Sequence, residues 1–173
     1  IPIDVAALDP DFMMFPTYKW LLGPYGRAFL YAAKRHHAGR PVEQTASGRR
    51  SVNSEALTYL EDVAYVDDAR RFDMGERDHF ITMEMASVGM EYVSDLGVSE
   101  IHARINALTS DIRAALADLL PVDAAHQSPH IFSLAVPPEK ARALAQHMAA
   151  QNVFVSARLG RLRISPHIYN DAE

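Results

Sequence analysis

The chain has 173 residues, a formal net charge of -5, and 49% apolar residues. This length is enough for one ordinary domain, or for one domain and part of another, with sufficient apolar side chains for a core. The basic residues are scattered and form no stripe that would follow a phosphate backbone, so we expect no nucleic-acid partner. No apolar run is long enough to span a bilayer, and we expect no membrane partner.

The sequence contains no cysteine, which removes disulfide frameworks and thiolate metal sites from consideration. Its histidines do not predict a metal centre, because His36 and His37 are adjacent and no further ligand stands at a suitable spacing. The first residues show no basic start followed by a hydrophobic signal core. We therefore expect a cytoplasmic protein without a bound metal.

The first half of the chain predicts a strand, a loop, a second strand and a helix. Two short apolar runs, residues 11–15 and 28–32, flank a Gly/Pro turn and are typical of strands. Residues 35–67 have no clear period, which predicts a long irregular segment, and such segments are commonly functional or mobile. Residues 80–93 are apolar on almost every face and predict a buried helix that ends at Leu96-Gly97.

The second half predicts a small α/β layer from about residue 96 onward. Ser99 is the predicted N-cap of a helix whose apolar residues recur at spacings of three and four until Pro121. The elements predicted after it are a strand over residues 131–136, a helix opening at Pro137-Pro138-Glu139 and closing at Gln151-Asn152, and strands over residues 153–156 and 161–165.

One lysine, Lys19, stands among aromatic and apolar residues just before the Gly/Pro turn. Burial disfavours an ammonium ion and leaves a neutral amine that is able to attack an aldehyde. A buried Lys19 would therefore be suited to form a Schiff base. Local chemistry also allows the ordinary alternative, in which the stem lies on apolar surface and the charged tip stays in water.

Three segments resemble the class V aminotransferases, the pyridoxal-phosphate (PLP) dependent group that includes kynureninases and cysteine desulfurases. The segments are Tyr18-Lys19-Trp20-Leu21-Leu22-Gly23-Pro24-Tyr25-Gly26 with Phe29-Leu30-Tyr31, Arg71-Phe72-Asp73-Met74-Gly75, and Leu162-Arg163-Ile164-Ser165-Pro166-His167-Ile168-Tyr169-Asn170. The first is similar to the family's cofactor-lysine segment, and the three agree with the family in order and approximate spacing. The resemblance therefore covers nearly the whole chain.

The resemblance implies an α/β fold, as the C-terminal part of a fold type I PLP-dependent transferase. Residues 1–95 would form the end of the large PLP domain, including the lysine loop. Residues 96–173 would form a small C-terminal α/β domain with a short, mainly antiparallel sheet. Because roughly half of such a protein precedes its cofactor lysine, we expect this chain to be a fragment that lacks the residues facing the cofactor ring.

The resemblance also implies cofactor-binding roles near Lys19 and at Gly75. Lys19 would form the Schiff base with PLP and then move a proton at the substrate. Thr17 and Tyr18 have hydroxyls suited to the cofactor phosphate, and a turn threonine with a packed tyrosine remains the alternative. Gly75 matches a family position, but Glu76-Arg77-Asp78 stands where many relatives have a phosphate-binding threonine, so the expected contact is altered there.

Arg163 is the predicted substrate-binding residue. Alternation along the last strand sends Leu162 and Ile164 to one face and Arg161, Arg163 and Ser165 to the other. A guanidinium matches a carboxylate in a bidentate fork, and the resemblance implies that an arginine of this motif holds the substrate's α-carboxylate. Arg158 is a second candidate for the same role, and an exposed strand arginine is the alternative for Arg163.

The resemblance implies a PLP-dependent enzyme, a homodimer when complete, that acts on an amino acid or amine. Transamination, β-elimination, racemisation and kynureninase-like cleavage stay open. The absence of cysteine disfavours a desulfurase that depends on a sulfur-accepting cysteine. The alternative is a noncatalytic domain that keeps the fold for dimerisation or ligand binding. We expect this chain alone to bind the cofactor weakly or not at all, and to be inactive.

Overall fold

The computed structural model describes residues 2–50, 63–117 and 128–171. The chain forms two compact units. The N-terminal unit comprises residues 3–95, and the C-terminal unit comprises residues 96–173 with residues 1 and 2. The helices and strands are, in order, α1 (Val5–Leu8), β1 (Phe12–Pro16), β2 (Ala28–Ala32), α2 (Phe80–Leu96), α3 (Val98–Leu116), β3 (Phe132–Ala135), α4 (Pro138–Ala149), β4 (Ser156–Arg158) and β5 (Arg161–Ile164).

The N-terminal unit contains an antiparallel pair of strands joined by a long loop. Strands β1 and β2 pair from Phe12 opposite Ala32 to Pro16 opposite Ala28, which confirms the predicted strand, loop and strand. The ring centroids of Phe15 and Phe29, which face each other across this pair, are 5.9 Å apart. The pairing brings the two ends of the loop together, because residues 16 and 28 are directly opposite each other.

Helix α2 is present as predicted, but its predicted burial is wrong. Only Ala86 and Gly89 are buried in it. Several of its large apolar side chains are exposed, namely Phe80, Ile81, Met83, Met85, Val88 and Tyr92. A helix that is apolar all round needs cover on every side. The described part of the N-terminal unit covers only the narrow stripe of small residues.

The predicted irregular segment forms short 3-10 turns at Lys34–His36 and Ala46–Gly48, while residues 51–62 lie outside the described part of the chain. Arg71 connects two parts of this region. Its side chain is buried, and it donates from Nε to the Val66 carbonyl at 2.9 Å and from Nη1 to the Gly39 carbonyl at 2.9 Å. A guanidinium thus supplies hydrogen bonds that regular secondary structure would otherwise provide.

The C-terminal unit is a three-stranded antiparallel sheet with helices packed on one face. The strand order is β3-β5-β4, and Leu162 of β5 lies opposite Leu134 of β3. Phe132, Leu134 and Leu162 form the buried core. The partly buried apolar residues around that core include Ile112 and Leu116 of α3, Leu144, Ala145 and Met148 of α4, and Ile164 of β5. The predicted inward faces of α4 and β5 are confirmed.

Two local predictions in the C-terminal unit are wrong. Helix α3 begins at Val98 with Gly97 (φ 79°) as its N-cap, so Ser99 lies inside the first turn. Strand β4 covers Ser156–Arg158 rather than residues 153–156, because the positive φ angles of Leu159 (50°) and Gly160 (68°) place the hairpin turn directly after it. The predicted end of α3 at Pro121 lies outside the described residues.

Candidate functional site

The loop that carries Lys19 is closed on itself by Thr17. The side chain of Thr17 is completely buried, and the carbonyls of Pro24, at 2.9 Å, and Arg27, at 3.1 Å, share the single proton of its hydroxyl. The Gly23 amide in turn donates to the Thr17 carbonyl at 2.8 Å. These bonds span the loop from its first residue to its last, so the backbone on both sides of Lys19 is held at fixed points.

Helix α2 supports this loop through two small residues that the sequence reasoning missed. A Cβ atom on Gly89 would lie 2.3 Å from the carbonyl oxygen of Leu21 and 2.9 Å from the carbonyl carbon of Leu22. A Cβ atom on Gly23 would lie 3.3 Å from the Cα of Ala86. The lysine loop therefore packs with its main chain directly on the helix. Glycine and alanine three positions apart in an otherwise apolar helix were the available signal.

Lys19 itself is exposed, so the expectation that it would be buried is wrong for the described chain. Its Nζ lies 5.3 Å from the ring centroid of Tyr18, and that ring stacks on Tyr25 with centroids 4.4 Å apart. The inward positions of the loop are taken by Thr17 and Gly23, so the turn directs Lys19 outward. Within residues 2–50, 63–117 and 128–171, no carboxylate forms an ion pair with the Lys19 amine.

The surroundings of Thr17 and Tyr18 favour the alternative that the sequence left open. The Thr17 hydroxyl is already used within the loop, as expected for a turn threonine. The Tyr18 ring is packed against that of Tyr25. The cofactor-phosphate roles of these two residues stay predictions.

Gly75 is held in the N-terminal unit by residues of the irregular segment. Its backbone amide donates to the Glu43 carboxylate at 3.0 Å, and a Cβ atom here would lie 3.3 Å from Cγ2 of Thr45. Thr45 also donates from its hydroxyl to the Asp73 carbonyl at 3.3 Å. The Gly75 amide thus already has a carboxylate as its hydrogen-bond acceptor. The cofactor-binding role of Gly75 stays a prediction.

Arg27 has a structural role that the sequence did not reveal. Its guanidinium donates from Nη1 to the Arg77 carbonyl at 3.0 Å and from Nη2 to the Thr82 hydroxyl at 2.8 Å. It thereby ties the end of the lysine loop to the start of α2. The Arg77 guanidinium forms an ion pair with the Asp73 carboxylate, so its positive charge is already compensated locally.

Arg163 lies in the C-terminal unit on the sheet face opposite Leu162, as the alternation predicts. It is half-buried, and its Nε donates to the Ser156 hydroxyl at 3.0 Å. Arg158 is exposed next to the hairpin turn and is paired in register with Arg161. Two like charges directly opposite each other repel. Between the two candidates, Arg163 has the more defined side-chain position.

Each unit contains a cavity. The one in the N-terminal unit has a volume of about 730 Å³ and is lined by apolar residues such as Phe12, Met14 and Met74. The one in the C-terminal unit has a volume of about 810 Å³ and is lined by residues of α3 and of the chain around β5. Neither cavity is lined by Lys19 or Arg163.

The described residues contain neither a cluster of metal ligands nor a membrane-spanning helix. No group of three or more histidine, cysteine, aspartate or glutamate side chains is arranged to hold a metal ion among them. No helix in the same residues is both long and apolar enough to cross a bilayer.

Comparison with known proteins gives a consistent class. The sequence model of the family described as aminotransferase class-V matches residues 1–169. A Bacillus subtilis (strain 168) protein, "Uncharacterized aminotransferase YcbU", is 31% identical over 175 residues, covering 100% of this chain and 45% of that protein. The chain thus spans less than half the length of this relative.

Solved structures show the same fold. The apo cysteine desulfurase of Thermococcus onnurineus NA1 is 19% identical with a TM-score of 0.77, covering 97% of this chain and 45% of that one. The S-sulfonic acid form of the Escherichia coli cysteine desulfurase CsdA is 19% identical with a TM-score of 0.73, covering 98% and 44%. A NIFS-like protein is also 19% identical, with a TM-score of 0.69, covering 99% and 45%.

The chain thus has the fold type I architecture of the corresponding part of these structures. With the family match over almost its whole length, the chain belongs to the class V aminotransferases.

Proposed function

We propose that this chain carries the cofactor lysine of a PLP-dependent, class V aminotransferase-like enzyme that acts on an amino acid or amine. The proposal depends on the accessibility of the Lys19 amine in a chain that belongs to this family. Its amine is accessible, has no carboxylate partner among the described residues, and stands on a loop held by Thr17. An accessible amine without an ion-pair partner fits a covalent bond to an aldehyde.

PLP, when bound, supplies an electron sink for the charge that develops at the substrate's α-carbon. Lys19 would hold the cofactor covalently, and its amine would take up and return the substrate's α-proton. The hydrogen bonds of Thr17 and the contact of the loop with Gly89 keep the backbone of Lys19 in place for both tasks. The roles of Thr17, Tyr18 and Gly75 at the cofactor phosphate belong to the same proposal, and they require the Thr17 hydroxyl and the Gly75 amide to exchange their present partners for the phosphate.

Arg163 is the proposed anchor for the substrate's carboxylate, with Arg158 as the second candidate. A guanidinium presents two parallel N–H groups to a carboxylate, and this fixes orientation as well as position. Arg163 is half-buried and already oriented by Ser156, which reduces the rotamer freedom that binding would otherwise cost.

The absence of cysteine from this chain disfavours a desulfurase that depends on a sulfur-accepting cysteine in this part of the protein. The similar solved structures are themselves cysteine desulfurases, and they lend this exclusion no support. A homodimeric assembly and a cytoplasmic location complete the proposal.

The test is borohydride reduction of the complete protein with PLP, followed by mass mapping of the modified peptide. We expect modification at Lys19 and its loss in Lys19→Ala. The chain's other two lysines, Lys34 and Lys140, serve as controls, and their alanine variants should be labelled like the parent. Because Lys19 is exposed, its replacement should change stability by less than about 0.5 kcal/mol. Labelling at any lysine other than Lys19, or no labelling, would leave the noncatalytic domain as the function.

A further inference from the structure

Ser156 and Arg163 form a cross-strand pair on the open face of the C-terminal sheet. Arg163 of β5 lies opposite Ser133 of β3 and Ser156 of β4, while its strand neighbour Leu162 enters the core on the other face. Directly paired residues of neighbouring strands have side chains close enough to interact. Here the Arg163 Nε donates to the Ser156 Oγ at 3.0 Å.

The hydrogen bond to Ser156 uses only one of the donors of this guanidinium. Arginine has five N–H donors, and the serine takes the one on Nε. The Nη1 and Nη2 atoms of Arg163 have no hydrogen-bond or ion-pair partner among residues 2–50, 63–117 and 128–171. A half-buried cation without a carboxylate is unfavourable unless an anion compensates it.

We propose that Ser156 is a positioning residue for substrate recognition: its hydroxyl holds Arg163 by Nε, so that the Nη1 and Nη2 donors present a preorganised fork to a carboxylate. This inference rests on the proposed role of Arg163. Without the serine, the long side chain loses its anchor and samples further rotamers, and each carboxylate that binds must then order it.

The test is ¹⁵N NMR of arginine side chains in the 173-residue chain, with acetate as the carboxylate probe and acetamide as its uncharged counterpart. In the parent chain, the Arg163 Nε–H should exchange slowly with water, and its signal should shift saturably with acetate but not with acetamide. In Ser156→Ala, exchange should be about fivefold faster and acetate affinity about threefold weaker. Ser156→Thr keeps a hydroxyl and suits a strand, so it should restore both values.

Arg161 supplies an internal control, because it is on the same strand but exposed, and its Nε–H should be unaffected by the Ser156 variants. Thermal unfolding checks that all variants are folded. If Arg163 responds to acetate equally with and without the Ser156 hydroxyl, the positioning role is refuted while the carboxylate role of Arg163 stands. If Arg163 does not respond to acetate in the parent chain, the inference is also refuted. Borohydride labelling of Lys19 is an independent readout, so the cofactor proposal stands or falls separately.

Discussion

Replacing Gly89 by alanine is the most direct test of how the lysine loop is held. The added Cβ would lie 2.3 Å from the Leu21 carbonyl oxygen, and an ordinary contact begins at 3.4 Å. The loop and the helix would therefore have to separate by about 1 Å. Both partners are main chain, so no rotamer change relieves the clash. In an exposed helix the same substitution would be stabilising by about 1 kcal/mol.

Overpacking costs about 1–3 kcal/mol, and we take the upper end because the new Cβ meets main-chain atoms that no rotamer change can move. After the helix-propensity gain of about 1 kcal/mol, we expect Gly89→Ala to lower the free energy of unfolding by roughly 2 kcal/mol. The single tryptophan, Trp20, lies next to Lys19 in the same loop, so its fluorescence during urea unfolding reports on the N-terminal unit.

Ser94→Ala is the matched control, since Ser94 is exposed on the same helix and its replacement should be stabilising by about 0.5 kcal/mol through propensity alone. In the complete protein, Gly89→Ala should also slow borohydride labelling of Lys19. The reasoning fails if Gly89→Ala is as stable as the parent chain or more stable, because the loop would then not rest on the helix as described.

Two further predictions concern the N-terminal unit. Thr17→Val keeps the shape of the side chain but leaves the Pro24 and Arg27 carbonyls without their hydroxyl donor. Urea unfolding followed by Trp20 fluorescence should therefore show that the free energy of unfolding falls by about 1–3 kcal/mol, and by much less in Thr17→Ser. A Thr17→Val variant as stable as the parent chain would contradict this prediction. The pKa of Asp11 is held below its ordinary value of 3.8 by hydrogen bonds from His36 and then Arg35. Because the Asp11 pKa is lower in the folded state, the ionised carboxylate contributes to stability at pH values above the unfolded-state pKa. That contribution is lost as the pH falls through the folded-state pKa. An NMR titration should show that the Asp11 pKa rises in Arg35→Gln.

Local signals in the sequence were sufficient for much of the fold. The apolar runs around the Gly/Pro turn predicted β1 and β2, and Pro138 at the first turn of a helix predicted α4. The alternation around Leu162 predicted which face carries Arg163. These features depend on residues that are close together in the sequence, and propensity and periodicity act over such short sequence distances.

The parts that could not be predicted depend on contacts between distant segments. The exposure of Lys19 depends on which loop residues face α2. The helix residue that contacts the loop, Gly89, is more than sixty positions away in the chain. The buried Arg71 guanidinium donates hydrogen bonds to the carbonyls of Gly39 and Val66, and no local sequence pattern predicts these partners. Ser156 was included at the end of the predicted strand, but its pairing with Arg163 depends on the turn at Leu159 and Gly160.

In the lysine loop, the residues that contact α2 are different from the residues next to the Lys19 amine. Leu21, Leu22 and Gly23 meet the helix through their main chain, while Tyr18 and Lys19 point their side chains away from that contact. A substitution at Tyr18 therefore leaves the main-chain contact that holds the Lys19 backbone in place. A designer seeking new specificity would vary Tyr18 and leave Lys19 and the small residues of α2 untouched.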